Sequence, residues 1–182
     1  DVEEIIRRVS DKARKVLDRN RKILEDVKRR SEEVLEENKR IVDEVDEIID
    51  EVLKRVKKRS KDERLEKLLE DIRREVRRLK EENRKVLEEI KRTNEKLLEE
   101  NDRKLKRIEE EVRELEERVR DKPREVVDRA VKRVEELVKR SERSADEVRK
   151  RSTESVKESK RSAKKVVEDV RRLVEELERR VR

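Results

Sequence analysis

The sequence predicts an all-α fold: a long, nearly straight, antiparallel up-down-up bundle of three helices. Three observations carry that expectation. The 182 residues include no glycine and no aromatic residue, and only one proline. Apolar residues recur at alternating spacings of three and four. That phase is interrupted twice, near residues 60 and 121, and divides the chain into thirds of nearly equal length.

The missing glycine excludes most alternatives. Average usage would place roughly a dozen in a chain of this size. Without them, the tight turns, bulges and phosphate loops that depend on positive φ have no natural residue. Strands would call for aromatics and frequent turn residues. Charged residues make up 61% of the chain and apolar residues 30%, a balance shared with disordered polyampholytes, so periodicity must decide between order and disorder.

In the first third the apolar positions are Val2, Ile6, Val9, Ala13, Val16, Ile23, Val27, Val34, Ile41, Val45, Ile48, Val52 and Val56. Asn20, Ser31 and Asn38 stand where the stripe would otherwise break. Doublets such as Val16-Leu17 and Ile23-Leu24 widen it to the face needed for burial against two neighbours. A disordered segment has no reason to hold this phase. The second third runs from Leu65 through Leu79, Ile90 and Leu105 to Val119, and the third from Val127 through Val148 and Val166 to Val181.

Start signals mark the breaks. Asp1 suits the cap of the first helix. Ser60-Lys61-Asp62-Glu63 fits a capping box, with serine as cap and glutamate reaching back. Asp121-Lys122-Pro123 supplies the second break, because proline belongs in a first turn and restricts the residue before it. The expected helices span about 2–58, 61–120 and 123–182, each roughly 85–90 Å long, within one domain covering 1–182. Connections this short make consecutive helices antiparallel neighbours.

The polar stripe positions follow an 18-residue repeat: Asn20 and Asn38, Asn83 and Asn101, Ser141 and Ser159, Ser144 and Ser162. Eighteen residues make five turns at 3.6 per turn, which implies little supercoiling. Folding the chain about helix midpoints sets Asn20 level with Asn101 and Ser144, and Asn38 level with Asn83 and Ser162. Ser31 falls near Asn94, Ser152 and Ser155. The expected buried network is therefore Asn20, Ser31, Asn38, Asn83, Asn94, Asn101, Ser141, Ser144, Ser152, Ser155, Ser159 and Ser162. Ser10, Thr93 and Thr153 are expected at the solvent edge. The serines between Arg140 and Ala163 thus read as one wall of a polar core, not as an Arg/Ser-rich RNA-binding tail.

Little here suggests chemistry. There is no histidine or cysteine, so the commonest general base and the thiol and Ser-His nucleophiles are absent. Ser162-x-x-Lys165 is uninformative in a chain rich in both residues, and Glu109-Glu110-Glu111 reads as a solvated face. The net charge of +7 comes from 59 basic and 52 acidic residues. Both signs are interleaved, and no aromatics are available for base stacking, which argues against nucleic-acid binding. No apolar run approaches a membrane span, and no signal-peptide pattern is present. The expectation is no enzyme activity, no cofactor, no metal, no required partner and a monomeric state. Localisation is left open.

Taken together, the polar layers at Asn20/Asn101/Ser144, Ser31/Asn94/Ser152 and Asn38/Asn83/Ser162, the near-repeats EENRKVLEEI and EENDRKLKRI, and the Lys/Arg/Glu/Asp surface carry a resemblance. The chain resembles de novo designed, parametrically generated three-helix bundles with buried hydrogen-bond networks. It departs from them in using no glycine in its loops. The resemblance implies a stable structural scaffold without natural biochemical activity. The alternative is a subunit of a designed homo- or hetero-oligomer, or a helix-exchange switch that accepts a partner helix. Natural spectrin-like or coiled-coil rods are a minor third reading, since they use glutamine, methionine, histidine and aromatics freely.

Overall fold

The computed structural model describes residues 1–59 and 62–181. It is an all-α three-helix bundle. Helix α1 spans Val2–Arg59 and α2 spans Glu63–Glu114; a π-helical turn follows at Leu115–Val119, and α3 spans Arg124–Val181. All three helix pairs pack against one another. The apolar stripe explains this, because none of the helices could bury its apolar face alone.

The helix ends follow local chemistry. Asp1 caps α1: its Oδ1 accepts from the Glu3 amide at 3.3 Å, and its carbonyl accepts from the Ile5 amide at 3.2 Å. Helix α2 begins two residues later than expected. Asp62 serves as its cap, accepting from the Arg64 amide at 3.3 Å through its side chain and from Leu65 at 3.1 Å through its carbonyl. An aspartate carboxylate is a strong cap and also complements the positive end of the helix. Ser60 and Lys61, the start of the expected capping box, lie outside the described residues. Pro123 stands just before α3, and its carbonyl accepts from Val126 at 2.9 Å and Val127 at 3.2 Å.

The π-helical turn was not legible in the sequence. A glycine normally ends a helix by adopting positive φ, and among the described residues none has positive φ. The chain instead leaves α2 through a wider i→i+5 turn, and the connection beyond it tightens where the Lys122 amide donates to the Val119 carbonyl three residues back at 3.0 Å. This geometry keeps Leu115 fully buried, at 0% exposure, with Val119 packed against the same cluster.

The chain divides into two compact units, Asp1–Arg30 with Arg92–Thr153, and Ser31–Lys91 with Glu154–Arg182. In the first, Ile6, Ala13 and Leu17 of α1 pack with Leu105, Ile108, Val112 and Leu115, and with Val127, Val131, Val134 and Val138 of α3. A smaller cluster joins Ile23 and Val27 to Ala145 and Val148. In the second, Val42, Val45, Ile49 and Leu53 pack with Leu65, Leu69, Ile72, Val76 and Leu79, and with Val166, Val170 and Leu177. One stripe position is corrected: Ile49 enters this core, while Ile48 is 43% exposed.

Contacts within each unit fix helix direction. In the first, Arg14 pairs with Glu116 at 2.7 Å and Arg21 pairs with Glu109, so numbers fall along α2 as they rise along α1. The second has Asn38 against Asn83 and Asp46 against Lys80, in the same sense. Numbers rise together along α1 and α3 in each unit. In the first they rise from Leu17 with Val138 to Ile23 and Val27 with Ala145 and Val148. In the second they rise from Asn38 with Ser159 to the cluster of Val45 and Leu53 with Val166 and Leu177. Helix α3 therefore runs parallel to α1. The up-down-up topology holds in both units.

The Asp62 cap gives the first testable consequence. Asp62→Ala leaves the first amides of α2 without their side-chain acceptor, and such a loss typically costs about 1 kcal/mol. Urea denaturation followed by far-UV circular dichroism should show a lower midpoint with an unchanged slope.

Candidate functional site: buried asparagine and serine layers

The most elaborate polar arrangement lies in the unit formed by Ser31–Lys91 and Glu154–Arg182. Asn38 of α1 and Asn83 of α2 exchange amide hydrogen bonds. Asn38 Nδ2 donates to Asn83 Oδ1 at 3.1 Å, and Asn83 Nδ2 donates to Asn38 Oδ1 at 2.8 Å. Helix α3 completes the layer. Asn38 Nδ2 also reaches the Ser159 carbonyl at 2.9 Å and its Oγ at 3.2 Å, and Ser162 Oγ donates to Asn83 Oδ1 at 2.7 Å. Each amide thus has both its donor and its acceptor engaged. Unmet buried groups of this kind cost about 1–3 kcal/mol each. Asn38, Asn83 and Ser159 are buried and Ser162 is half-buried.

In the unit formed by Asp1–Arg30 and Arg92–Thr153 the layer is looser. Asn20 Nδ2 donates to Ser141 Oγ at 2.7 Å, and both residues are buried. Asn101 is buried too, but its Nδ2 donates to the Leu97 carbonyl of its own helix at 2.8 Å. The sequence reading placed Ser144 opposite Asn20, whereas the structure places Ser141 there. Ser144 sits half-buried at the edge, where Lys104 Nζ donates to its Oγ at 2.7 Å. The same separation of 121 positions relates Asn20 to Ser141 and Asn38 to Ser159. Helix α3 is therefore staggered by three residues, nearly one turn, from a midpoint alignment. Such an alignment ignores the path taken by the connections, including the π-helical turn before Pro123.

Of the remaining expected residues, Asn94 and Ser152 are buried within the first unit. Ser31 and Ser155 are half-buried within the second. Thr93 and Thr153 are exposed, and the Thr153 hydroxyl donates to the Arg149 carbonyl at 3.1 Å, a local bond common for threonine inside helices.

Ser10 was missed. Expected at the solvent edge, it is 2% exposed, and its Oγ has no hydrogen-bond partner. The signal was available: Ile6, Ser10, Ala13 and Leu17 continue the four-three-four spacing of the buried stripe.

The surface around these layers is charged and paired, chiefly along helices. Arg84 is held between Glu81 and Glu88, with contacts of 2.5 and 2.6 Å. The hydrogen bond from Arg84 lowers the Glu81 carboxyl below its usual range, and its counterpart raises the guanidinium. Arg78 is raised in the same way by Glu75, and Arg120 by Glu3. These side chains are exposed, so such pairs add little stability. Among the described residues no cluster of carboxylates forms a metal-binding group, and no helix is long and apolar enough to cross a membrane. The chemistry of the layers is hydrogen bonding between neutral groups.

Comparison with known proteins returns no matching family model, no matching curated protein and no matching solved structure.

Two measurements probe the layers. Asn38→Ala and Asn83→Ala each orphan polar atoms on the partner and should each cost about 1–3 kcal/mol. The double variant should cost less than the sum, with a coupling of about 0.5–3 kcal/mol in a double-mutant cycle. Ser10→Ala should be neutral or stabilising by up to about 1 kcal/mol, because it removes a buried hydroxyl that makes no hydrogen bond.

Proposed function

We propose that this chain is a designed structural scaffold without enzymatic activity, in which the buried Asn/Ser layers specify how the helices register. The observation that carries this reading is the reciprocal Asn38–Asn83 amide pair closed by Ser159 and Ser162. Apolar side chains tolerate one another in many registers, since a leucine that slides past a valine loses only part of its packing. An amide facing a leucine loses its partner outright, so a polar layer penalises every register but its own. The remaining features agree with this role. The surface carries both signs of charge, the core alphabet is narrow, and the Asn38–Asn83 and Asn20–Ser141 contacts join one helix to another.

Such layers trade stability for specificity, because replacing a satisfied buried polar cluster by well-packed hydrophobes is often neutral or stabilising. The variant Asn20→Leu/Asn38→Leu/Asn83→Leu/Asn101→Leu should therefore keep its helicity and melt at a higher temperature. Its amide NMR spectrum should show doubled or broadened resonances from alternative registers, where the parent gives one set. A loss of helicity or a lower melting temperature would mean that the layers are stability elements, and the register reading would fall.

A further inference from the structure

The α1/α3 side of the second unit carries a groove of about 340 Å³, with Asn38, Ser159 and Ala163 among the residues that line it. Its depth has a simple cause. Serine and alanine on α3 leave room for the Asn38 amide, and the same small side chains leave the surface between the helices concave. Two apolar ridges border it at seven-residue spacing. On α1 these are Val34 and Ile41, both half-buried; the exposed Ile48 continues the same spacing one heptad beyond the groove. On α3 it is Val167, half-buried, which lines the groove, followed seven residues on by the half-buried Val174, which packs against the core cluster.

The outer walls differ in sign. Glu37 lines the groove from α1, and Glu44 follows seven residues on; Glu51, next in the series, lies 3.9 Å from Arg55. Lys160, Lys164 and Arg171 line it from α3, and Lys157 precedes Lys164 by seven. Glu168 on the basic side lies 3.9 Å from Lys164, which leaves that wall with a net positive charge. Apolar ridges flanked by charged residues at heptad spacing are the pattern by which helices choose partners.

We propose that this groove is a homodimerisation face and that its occupant is a second copy of the same chain. The charges select the occupant and its orientation. Two copies meeting through one face are related by a two-fold axis lying in the interface. An axis across the helices would set α1 against α1, and the glutamates would repel. An axis along the groove sets α1 of each copy against α3 of the other at the same level, so Glu37 and Glu44 face Lys160 and Lys164 in both halves. Val34, Ile41 and Val167 then close over the groove, and the exposed Ile48, one heptad on, is covered with them. This face stands independently of the register reading, and it replaces the expected monomer with a reversible dimer.

Sedimentation velocity across a wide concentration range tests the proposal. The sedimenting species should move from 22.3 kDa to twice that mass as concentration rises. Ile48→Glu alters an exposed side chain and leaves the folded core intact, which circular dichroism checks; it should raise the dissociation constant at least tenfold. Glu37→Lys/Glu44→Lys and, separately, Lys160→Glu/Lys164→Glu should each weaken self-association, and mixing the two variants should restore a dimer. A parent chain that stays at 22.3 kDa throughout overturns the proposal. So does a dimer indifferent to Ile48→Glu, or a mixture of the charge variants that fails to associate. A groove that takes up an added amphipathic peptide while the chain remains monomeric would also overturn it, by assigning a different occupant.

Discussion

A side-chain amide taken out of water must find partners for both its ends, and this requirement governs the second unit. Asn38 and Asn83 meet it by turning towards each other, which they can do only when α1 and α2 stand at one level and one rotation. Ser159 and Ser162 then constrain α3. The apolar cluster running from Val42 to Leu177 supplies the driving force for association, at about 25 cal/mol for each square ångström of apolar surface buried. That force is non-directional. The amide pair is directional, and the packing around it inherits its geometry.

The first unit follows the same rule less strictly. Asn20 finds Ser141, but Asn101 satisfies its donor within its own helix, at the Leu97 carbonyl. A bond to a carbonyl four residues back constrains no neighbouring helix. Alignment there rests more on the cluster around Leu105, Ile108 and Leu115, and on ion pairs such as Arg14–Glu116 and Arg133–Glu111 between helices. Lys104, whose ammonium reaches Ser144 from the edge, fits a long side chain that packs its stem and keeps its charge in water. Ser10 shows the tolerance of this unit, where a buried hydroxyl without a partner is carried by the surrounding apolar contacts.

The helices were legible in the sequence because the period of an amphipathic helix is written in residue spacing, and the stripes keep that period through the polar positions at Asn20, Ser31 and Asn38. The pairing of Asn38 with Asn83 was legible too, since α1 and α2 form a hairpin whose short connection fixes their level. The stagger of α3 was not. It depends on how the backbone travels from Leu115 to Arg124, and a π-helical turn has no residue signature in a chain without glycine. Three residues of error there exchanged Ser141 for Ser144 opposite Asn20. The Ile48–Ile49 doublet failed for another reason: adjacent apolar residues point about 100° apart on a helix, and spacing alone does not say which one the neighbours cover.

The serines of α3 link core and surface. A helix that faces two asparagine-bearing helices must yield volume, because an amide pair and a third large side chain cannot share one layer at native packing density. Ser159 and Ala163 yield it, and the Asn38 donor reaches the α3 backbone carbonyl as a result. Yet a helix narrowed on its inner face also recedes at the margin, where its neighbour's ridge is left uncovered. Val34 and Ile41 stand along that margin on α1. The apolar floor of the groove is therefore a consequence of seating the amide pair, and the separate choice of charge, acidic on α1 and basic on α3, determines what can close over it.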